Sequence, residues 1–574
     1  MSHRSLLAAS VMILLVCALG ACQSALGALL PATPVATLAA PPASATNDPA
    51  LTATPTPSET PTPTATPLPS ATPTPAPLSV YVPAGLPAGM TALLDASLAA
   101  QPDPWVRASE PESSDVQIVL DPATGDWIVT EWAFAVAAPF ATLVDQVSWA
   151  DVRDSWQGIP SGPFAGRPIL TTPNGAAALT YLLGEPASGA IEVVADEAIL
   201  ERAWESRPSW AIIPFEQLEP RWKALRVDGL SLLDRGLDLN AYPLVLRVGA
   251  HGNETGLTAL RRALNTPLTN RDPQQMAVVM MTGVTALTRA TAMRMDQHGP
   301  TYPGEDIRVW MVESDITHIS SEVSFASDCP PQTSYTTLTF CSDPRYIELL
   351  EWLEVDIIEL TGNHLLDWGV EAMELSLGMY DERALPYYGG GWNLTQAQTP
   401  VTMTVGATTF GFAGCNPAGP ASDWATDTRP GSAPCDYERL YAQVREMRAQ
   451  GIVPIVTLQY IESDQTEPLP QQRADFRALA EAGAAIVSGS QAHQPQGFDF
   501  HSGAFIHYGL GNLFFDQMWP ENRPEFLDRH VFYEGRHIST EVLTAILEDY
   551  ARPRPMTEAE RAELLRLAFT ASGW

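Results

Sequence analysis

The stretch LTGNHLLDWG, residues 360–369, sits directly behind the apolar run VDIIE and ahead of a helix-like segment. Taken as strand, loop and helix, it puts Asn363 and His364 at the end of a strand, where α/β folds build their sites. An Asn-His pair in that position can hold a metal ion. His364 and Asp367, three residues apart, can instead work together as a general acid or base. Asp367 is also placed to cap the following helix, because a carboxylate there accepts from the first free backbone N–H groups.

The same alternation runs through residues 270–550. Strand-like runs are MAVVMMTG, IRVWMVES, VDIIELTG, VTMTVGATTFGFAG, IVPIVTLQY, AAIVSGS and AFIHYGLGNLFF. Helical patterns begin at Asp367 and fill YERLYAQVREMRAQG and QRADFRALAEAG. In the last of these, Phe476, Leu479 and Ala480 share one face, and Gly483 is a natural C-terminal stop. Strands alternating with helices predict a layered α/β domain. Residues 79–265 predict a second α/β domain, with strands in DVQIVL, DWIVTEWAFAVAA and SWAIIPFEQL and helices in TALLDASLAA and DEAILERAWES. It contains no metal-ligand spacing, nucleophile elbow or phosphate loop. Residues 551–574 predict a helical tail. In FIHY, strand alternation turns one of His507 and Tyr508 inward.

The chain has 574 residues and a formal net charge of −34, which disfavours nucleic acid and any anionic membrane surface as direct partners. Arg4 is followed by LLAASVMILLVCALGAC, an apolar run too short and too soon broken to span a bilayer comfortably. Residues 31–78 are rich in Pro and Thr, which offer no core, so 23–78 read as an extended, disordered tether. In an exported chain Cys329, Cys341, Cys415 and Cys435 can oxidise. The local pairs 329–341 and 415–435 are one of three possible connectivities. A zinc site made of all four cysteines lacks any CxxC spacing.

Leu19-Gly20-Ala21-Cys22 resembles a bacterial lipobox, which implies a signal peptide over 1–22, lipidation of Cys22 and membrane attachment through that anchor alone at the bacterial cell surface. The stretch from WAIIPFEQLEPRWKALRVDG to LNAYPLVLRV resembles the second lobe of type 2 periplasmic solute-binding proteins, which implies a two-lobed domain that binds a small solute or serves as a scaffold.

The strand-end clusters of 270–550, taken in order, resemble the CapA family of poly-γ-glutamate capsule biosynthesis proteins, whose fold is similar to the calcineurin-like metallophosphoesterases. TGNHLLDWG is similar to the family's Asn-Asn-His loop, with Asn363, His364, Asp367 and Gly369 matching and Gly362 in place of the first Asn. YYGGGWNLTQA matches a Gly-rich turn at Gly389, Gly391, Asn393 and Ala397. SGSQAHQPQG matches the Gly-x-His-Pro-His segment at Gly489, His493, Pro495 and Gly497, and IHYGLGNLFFD matches at Tyr508, Gly511, Asn512 and Asp516. Arg289, Asp315 and Glu322 also fall on family positions.

Four positions depart from the family. Val284 stands where it has an Asp, Ser320 where it has an Asn, and Gln459 and Gln491 where it has His; Glu462 falls one position early. Val cannot ligate and Gln offers only a neutral oxygen. The resemblance therefore implies at most one divalent ion, Mg, Mn or Ca, on Glu322, Asn363, His364 and His493. His364, Asp367, Glu322 and His493 are the expected catalytic groups. Two functions stand open: a metal-assisted hydrolase acting on an envelope polymer, or a non-catalytic surface protein that binds such a polymer or a small solute. A polyanionic polymer would need a local cationic patch around Arg289.

Overall fold

Behind residues 360–369 the strand Ile357–Glu359 is fully buried, and it pairs in parallel with Ile316–Ser321 on one side and Tyr387–Tyr388 on the other. A computed structural model describes residues 76–574, apart from 103, 121, 123–126, 265 and 334. The signal segment, Cys22 and nearly all of the tether lie outside the described residues. From residue 74 onward the chain forms one unit. Among the described residues no helix is long and apolar enough to cross a membrane.

Two sheets organise the C-terminal half. A nine-stranded sheet runs Tyr387–Tyr388, Ile357–Glu359, Ile316–Ser321, Met276–Thr282, Pro524–Tyr533, Arg536–Glu548 and Arg552–Pro555, with two short strands off this path. A six-stranded sheet contains Val401–Val405, Thr408–Cys415, Val453–Gln459, Ile486–Ser490, Ala504–His507 and Phe498–His501. The alternation of side chains along each strand decides the layers. Ala277, Val279 and Met281 join Phe410, Phe412, Ile455, Ile486 and Phe505 in one core between the sheets. Met280, Ile319 and Ile358 turn the other way, onto helices that include Val370–Glu382. On the far side, Val456, Leu458 and Val487 pack under Leu440, Val444, Phe476 and Leu479 of Tyr437–Ala449 and Pro470–Ala482. The result is a helix, sheet, sheet, helix stack, the layered α/β fold that the alternation implies.

Residues 78–269 supply a separate ten-stranded mixed sheet built around the long strand Trp127–Pro139. Its core continues into Met276, Val278, Val531, Tyr533 and Ile538 of the nine-stranded sheet. Cys329–Cys341 and Cys415–Cys435 are both disulfides.

Several local expectations change. IRVWMVES is not a strand: Arg308–Val312 is a short helix, with Met311 buried and Val309 exposed. The strand is the next segment, ITHISS, whose polar side chains are buried. Asp367 does not cap the following helix; Gly369, at φ +92°, takes that position and the helix is Val370–Glu382. The Gly389–Gly391 run is neither a plain turn nor an anion cradle, since Gly390 and Gly391 pair as a strand with Ser432 and Gly431. His507 and Tyr508 are both buried, each with a carboxylate partner: Asp528 for His507 Nδ1 at 2.5 Å and Asp499 for the Tyr508 hydroxyl at 2.9 Å.

Candidate functional site

Parallel strands from both sheets end at the same place, so their C-terminal loops converge. Glu322 follows Ile316–Ser321, Asn363 and His364 follow Ile357–Glu359, Gln459 ends Val453–Gln459, and Gln491 and His493 follow Ile486–Ser490. Gly362 lets two of these loops touch. A Cβ there would lie 2.7 Å from the Glu322 Cα, so the Asn that the family pattern carries has no room.

At the centre stands an amide nitrogen. Gln459 Nε2 donates to Glu322 Oε1 at 3.0 Å, to Asn363 Oδ1 at 3.1 Å and to Gln491 Oε1 at 2.5 Å. Gln459 and Glu322 are each 1% exposed. An amide has two N–H protons, so these three acceptors share them. Turned over, Gln459 would set its own oxygen against three others, an arrangement that only a bound cation could hold. The Gln459 nitrogen thus stands where oxygen ligands would otherwise surround a metal ion. Gln491 sits at φ +79°, a strained value for a residue with a side chain, which helps aim its carbonyl inward.

This donor set does not fit a divalent ion. Glu322 is the only carboxylate in it, and its second oxygen, Oε2, has no hydrogen-bond partner. Val284 lies beside Ser320 and Asn512 in register and belongs to an apolar cluster with Ala286, Val323, Phe340 and Phe515. Among the described residues no three His, Cys, Asp or Glu side chains converge as a metal site would need. The expected ligands split into two settings. Asn363 joins the Gln459 cluster, while His364 and His493 are turned to other partners.

His364 Nδ1 pairs with Asp367 Oδ2 at 2.7 Å, and the same oxygen accepts from the Phe340 backbone N–H at 2.8 Å. Burial works against the charged imidazolium, but the Asp367 bond and the Glu322 charge outweigh it and raise the His364 pKa above its ordinary value. His493 Nδ1 bonds Asn512 Oδ1 at 2.9 Å, and its Nε2 comes within 3.8 Å of Glu462. What the arrangement offers chemically is one oriented imidazole, His364, beside a neutral amide cluster. Arg289 supplies no free charge: it forms a buried ion pair with Asp516 and lies against the Phe340 and Phe515 rings. The cationic patch expected around it therefore does not form.

Sequence reasoning missed Asp423, which lies in a loop that matches no motif. Burial and the Asp367 charge raise its carboxyl to about 6, against a pull from His364. Its Oδ2 is buried without a partner. Between the unfolded value near 3.8 and about 6, the folded state holds the extra proton, so the fold loses stability as pH rises through that window. Asp423→Asn should therefore raise the melting temperature at pH 7.5, by up to about 2 kcal/mol of stability, and leave it unchanged near pH 4. Thermal melts of both proteins across pH decide it. An equal shift at both pH values would mean that the carboxylate charge is not the cause.

Beneath the site a second polar group ties the two sheets together. His318 Nε2 meets the Tyr388 hydroxyl at 3.0 Å and Glu359 at 3.3 Å, and Ser490 donates to Glu359 at 2.9 Å. All four side chains are buried.

Residues 278–517 match the family model described as bacterial capsule synthesis protein PGA_cap. The chain is 28% identical over 185 residues to the PGA biosynthesis protein CapA of Bacillus subtilis, covering 32% of this chain and 48% of that one. It is 23% identical over 301 residues to the capsule biosynthesis protein CapA of Bacillus anthracis, covering 51% of this chain and 72% of that one. The match thus spans about half the length of the first relative. A solved ABC-type phosphate transport receptor from Vibrio cholerae aligns at a TM-score of 0.28 and 9% identity, over 33% of this chain and 93% of that one, a likeness too slight to assign a ligand.

Proposed function

Residues 278–517 are a domain of the bacterial capsule synthesis family, and from that premise we propose that this chain binds an envelope polymer, of the poly-γ-glutamate class or another, without cleaving it. The observation that carries this reading is the Gln459 nitrogen set among Glu322, Asn363 and Gln491, which takes the place of a catalytic cation with a neutral, hydrogen-bonded amide. His364 then serves as a donor: its Nδ1 is fixed by Asp367, and its other nitrogen is left to meet a carboxylate or amide oxygen of the polymer. The two disulfides favour an oxidising, extracytoplasmic setting, in keeping with a lipid anchor at Cys22.

One observation favours the hydrolase reading instead. The His364–Asp367 pair has the geometry of an oriented general acid or base. A single experiment separates the two. The full chain is incubated with poly-γ-glutamate, with and without added Mn2+, and followed for both chain shortening and retention. Wild type should retain polymer and release no fragments, and His364→Ala should weaken retention about tenfold, the worth of one charge-assisted hydrogen bond. Mn2+-dependent shortening that His364→Ala abolishes would sink the binding reading.

A further inference from the structure

Lys223 is the only lysine among the 32 Lys and Arg residues of the chain. It lies on Trp222–Ala224, at the edge of the ten-stranded sheet, where that strand packs on Arg536–Glu548. There it lines a cavity of about 220 Å3 together with Asp145, Arg226, Trp310, Glu541 and Arg561. This cavity is remote from the Gln459 cluster in its lining residues and joins the first half of the chain to its end.

The lining is electrostatically odd for this protein. It carries three cations and two carboxylates, in a chain whose formal charge is −34. Glu541 is further neutralised by Arg529, with which it forms an ion pair. The task of fastening the two halves falls to Arg561, which holds Asp145 through two bonds of 2.7 and 2.9 Å. Lys223 is left with capacity to spare. Its Nζ donates to Asp145 Oδ1 at 2.5 Å and to the Thr142 carbonyl at 2.8 Å, which uses two of three N–H groups. Arg226 spends its two Nη groups on Gly229, Asp234 and Glu541, and none of those bonds uses its Nε–H.

We propose that this cavity is a binding site for a small carboxylate, held between the Lys223 ammonium and the Arg226 guanidinium with Trp310 as its apolar wall. Its volume equals about seven waters, room for a ligand of amino-acid size. Charge-assisted bonds to a carboxylate are the strong ones, and the cavity offers two such donors in a partly dry setting. Asp145 is shared with Arg561, so it only partly offsets the burial of Lys223. Burial pulls the Lys223 amine down to about 8, with the Asp145 charge pulling the other way and Arg561 adding to the fall. Asp145 itself is held down at about 2 despite its burial, because two cations face it. The fall at Lys223 and the fall at Asp145 are compatible on that account.

A single lysine makes the test clean. The full chain is treated at pH 8 with formaldehyde and cyanoborohydride, and methylation at Lys223 is followed by peptide mass mapping, which separates it from the α-amine. Glutarate at a few times its dissociation constant should slow labelling about fivefold, while the neutral analogue glutaramide should not. Glutarate should also raise the melting temperature, and Lys223→Met and Arg226→Met should each remove that rise. Labelling indifferent to glutarate overturns the proposal, whether or not the variants fold. Protection by inorganic phosphate but not by glutarate overturns the carboxylate assignment. A melting shift that survives Lys223→Met places the carboxylate elsewhere and overturns the site.

Discussion

Asp516→Ala should destabilise the fold by about 3–5 kcal/mol, the cost of leaving one partner of a buried ion pair without the other. The side chains of Arg289 and Asp516 are 8% and 2% exposed. One Asp516 oxygen accepts from the Arg289 guanidinium, and the other accepts from the Ala290 backbone N–H at 2.9 Å, at the start of the helix Arg289–His298. Without the carboxylate, the guanidinium has no counter-charge and the helix loses an anion at its positive end. Water cannot rescue it, because the Phe340 and Phe515 rings lie 5.1 and 4.6 Å from the charge. Urea unfolding of the single variant and of Arg289→Met/Asp516→Ala makes the argument specific. The double variant should lose clearly less than the sum of the single variants, because it leaves no orphan charge. A loss under about 1 kcal/mol for Asp516→Ala would show that the pair is not dry.

The same pair reaches the candidate site through its aromatic walls. Phe340 packs on His364 with ring centroids 4.2 Å apart, and Phe515 lies 5.3 Å from His493. Arg289 thus holds the rings that hold the two imidazoles. Its place on a family motif was legible in the sequence; its role as a positioning residue was not, because nothing in one chain reports that Asp516, 227 residues later, meets it.

That pattern explains what the sequence disclosed and what it hid. Helix Pro470–Ala482 ends at Gly483, at φ +113°, with Phe476, Leu479 and Ala480 buried, because helical spacing and a glycine stop are local signals. ITHISS defeated the same logic. Thr317, His318, Ser320 and Ser321 are all buried, and bonds such as Thr317 to the Met311 carbonyl at 2.7 Å and His318 to Tyr388 satisfy them across the fold. A strand whose polar groups are satisfied by distant partners carries no period-2 apolar pattern. IRVWMVES misled in the opposite direction, since β-branched residues also suit a short outer helix with one buried Met. In the candidate site, Gln459 and Gln491 were visible as replacements. That their amides meet each other and Glu322 required the convergence of separate strand ends.

The convergence allows the altered site to be tested by rebuilding it. Val284→Asp, Gln459→His and Gln491→His together should create a divalent-metal site that wild type lacks. Gln459→His removes the nitrogen that now takes up the Glu322, Asn363 and Gln491 oxygens, and Gln491→His replaces a neutral oxygen by an imidazole. Val284→Asp puts a second carboxylate beside Ser320 and Asn512, within the apolar cluster of Val323, Phe340 and Phe515. A buried carboxylate there is costly unless a cation neutralises it. The triple variant should therefore melt well below wild type in chelator and recover with Mn2+ or Zn2+, by about 2.7 kcal/mol at a hundredfold excess over the dissociation constant. Wild type should be indifferent to both ions. Metal affinity should rise at least about 100-fold over wild type, since the loss of mere supporting partners around a metal already costs up to that much. If the triple variant melts at the same temperature with and without metal, the Gln459 nitrogen is not a stand-in for a cation. The strand ends would then hold these side chains in an arrangement that two imidazoles and one carboxylate cannot turn into a metal site.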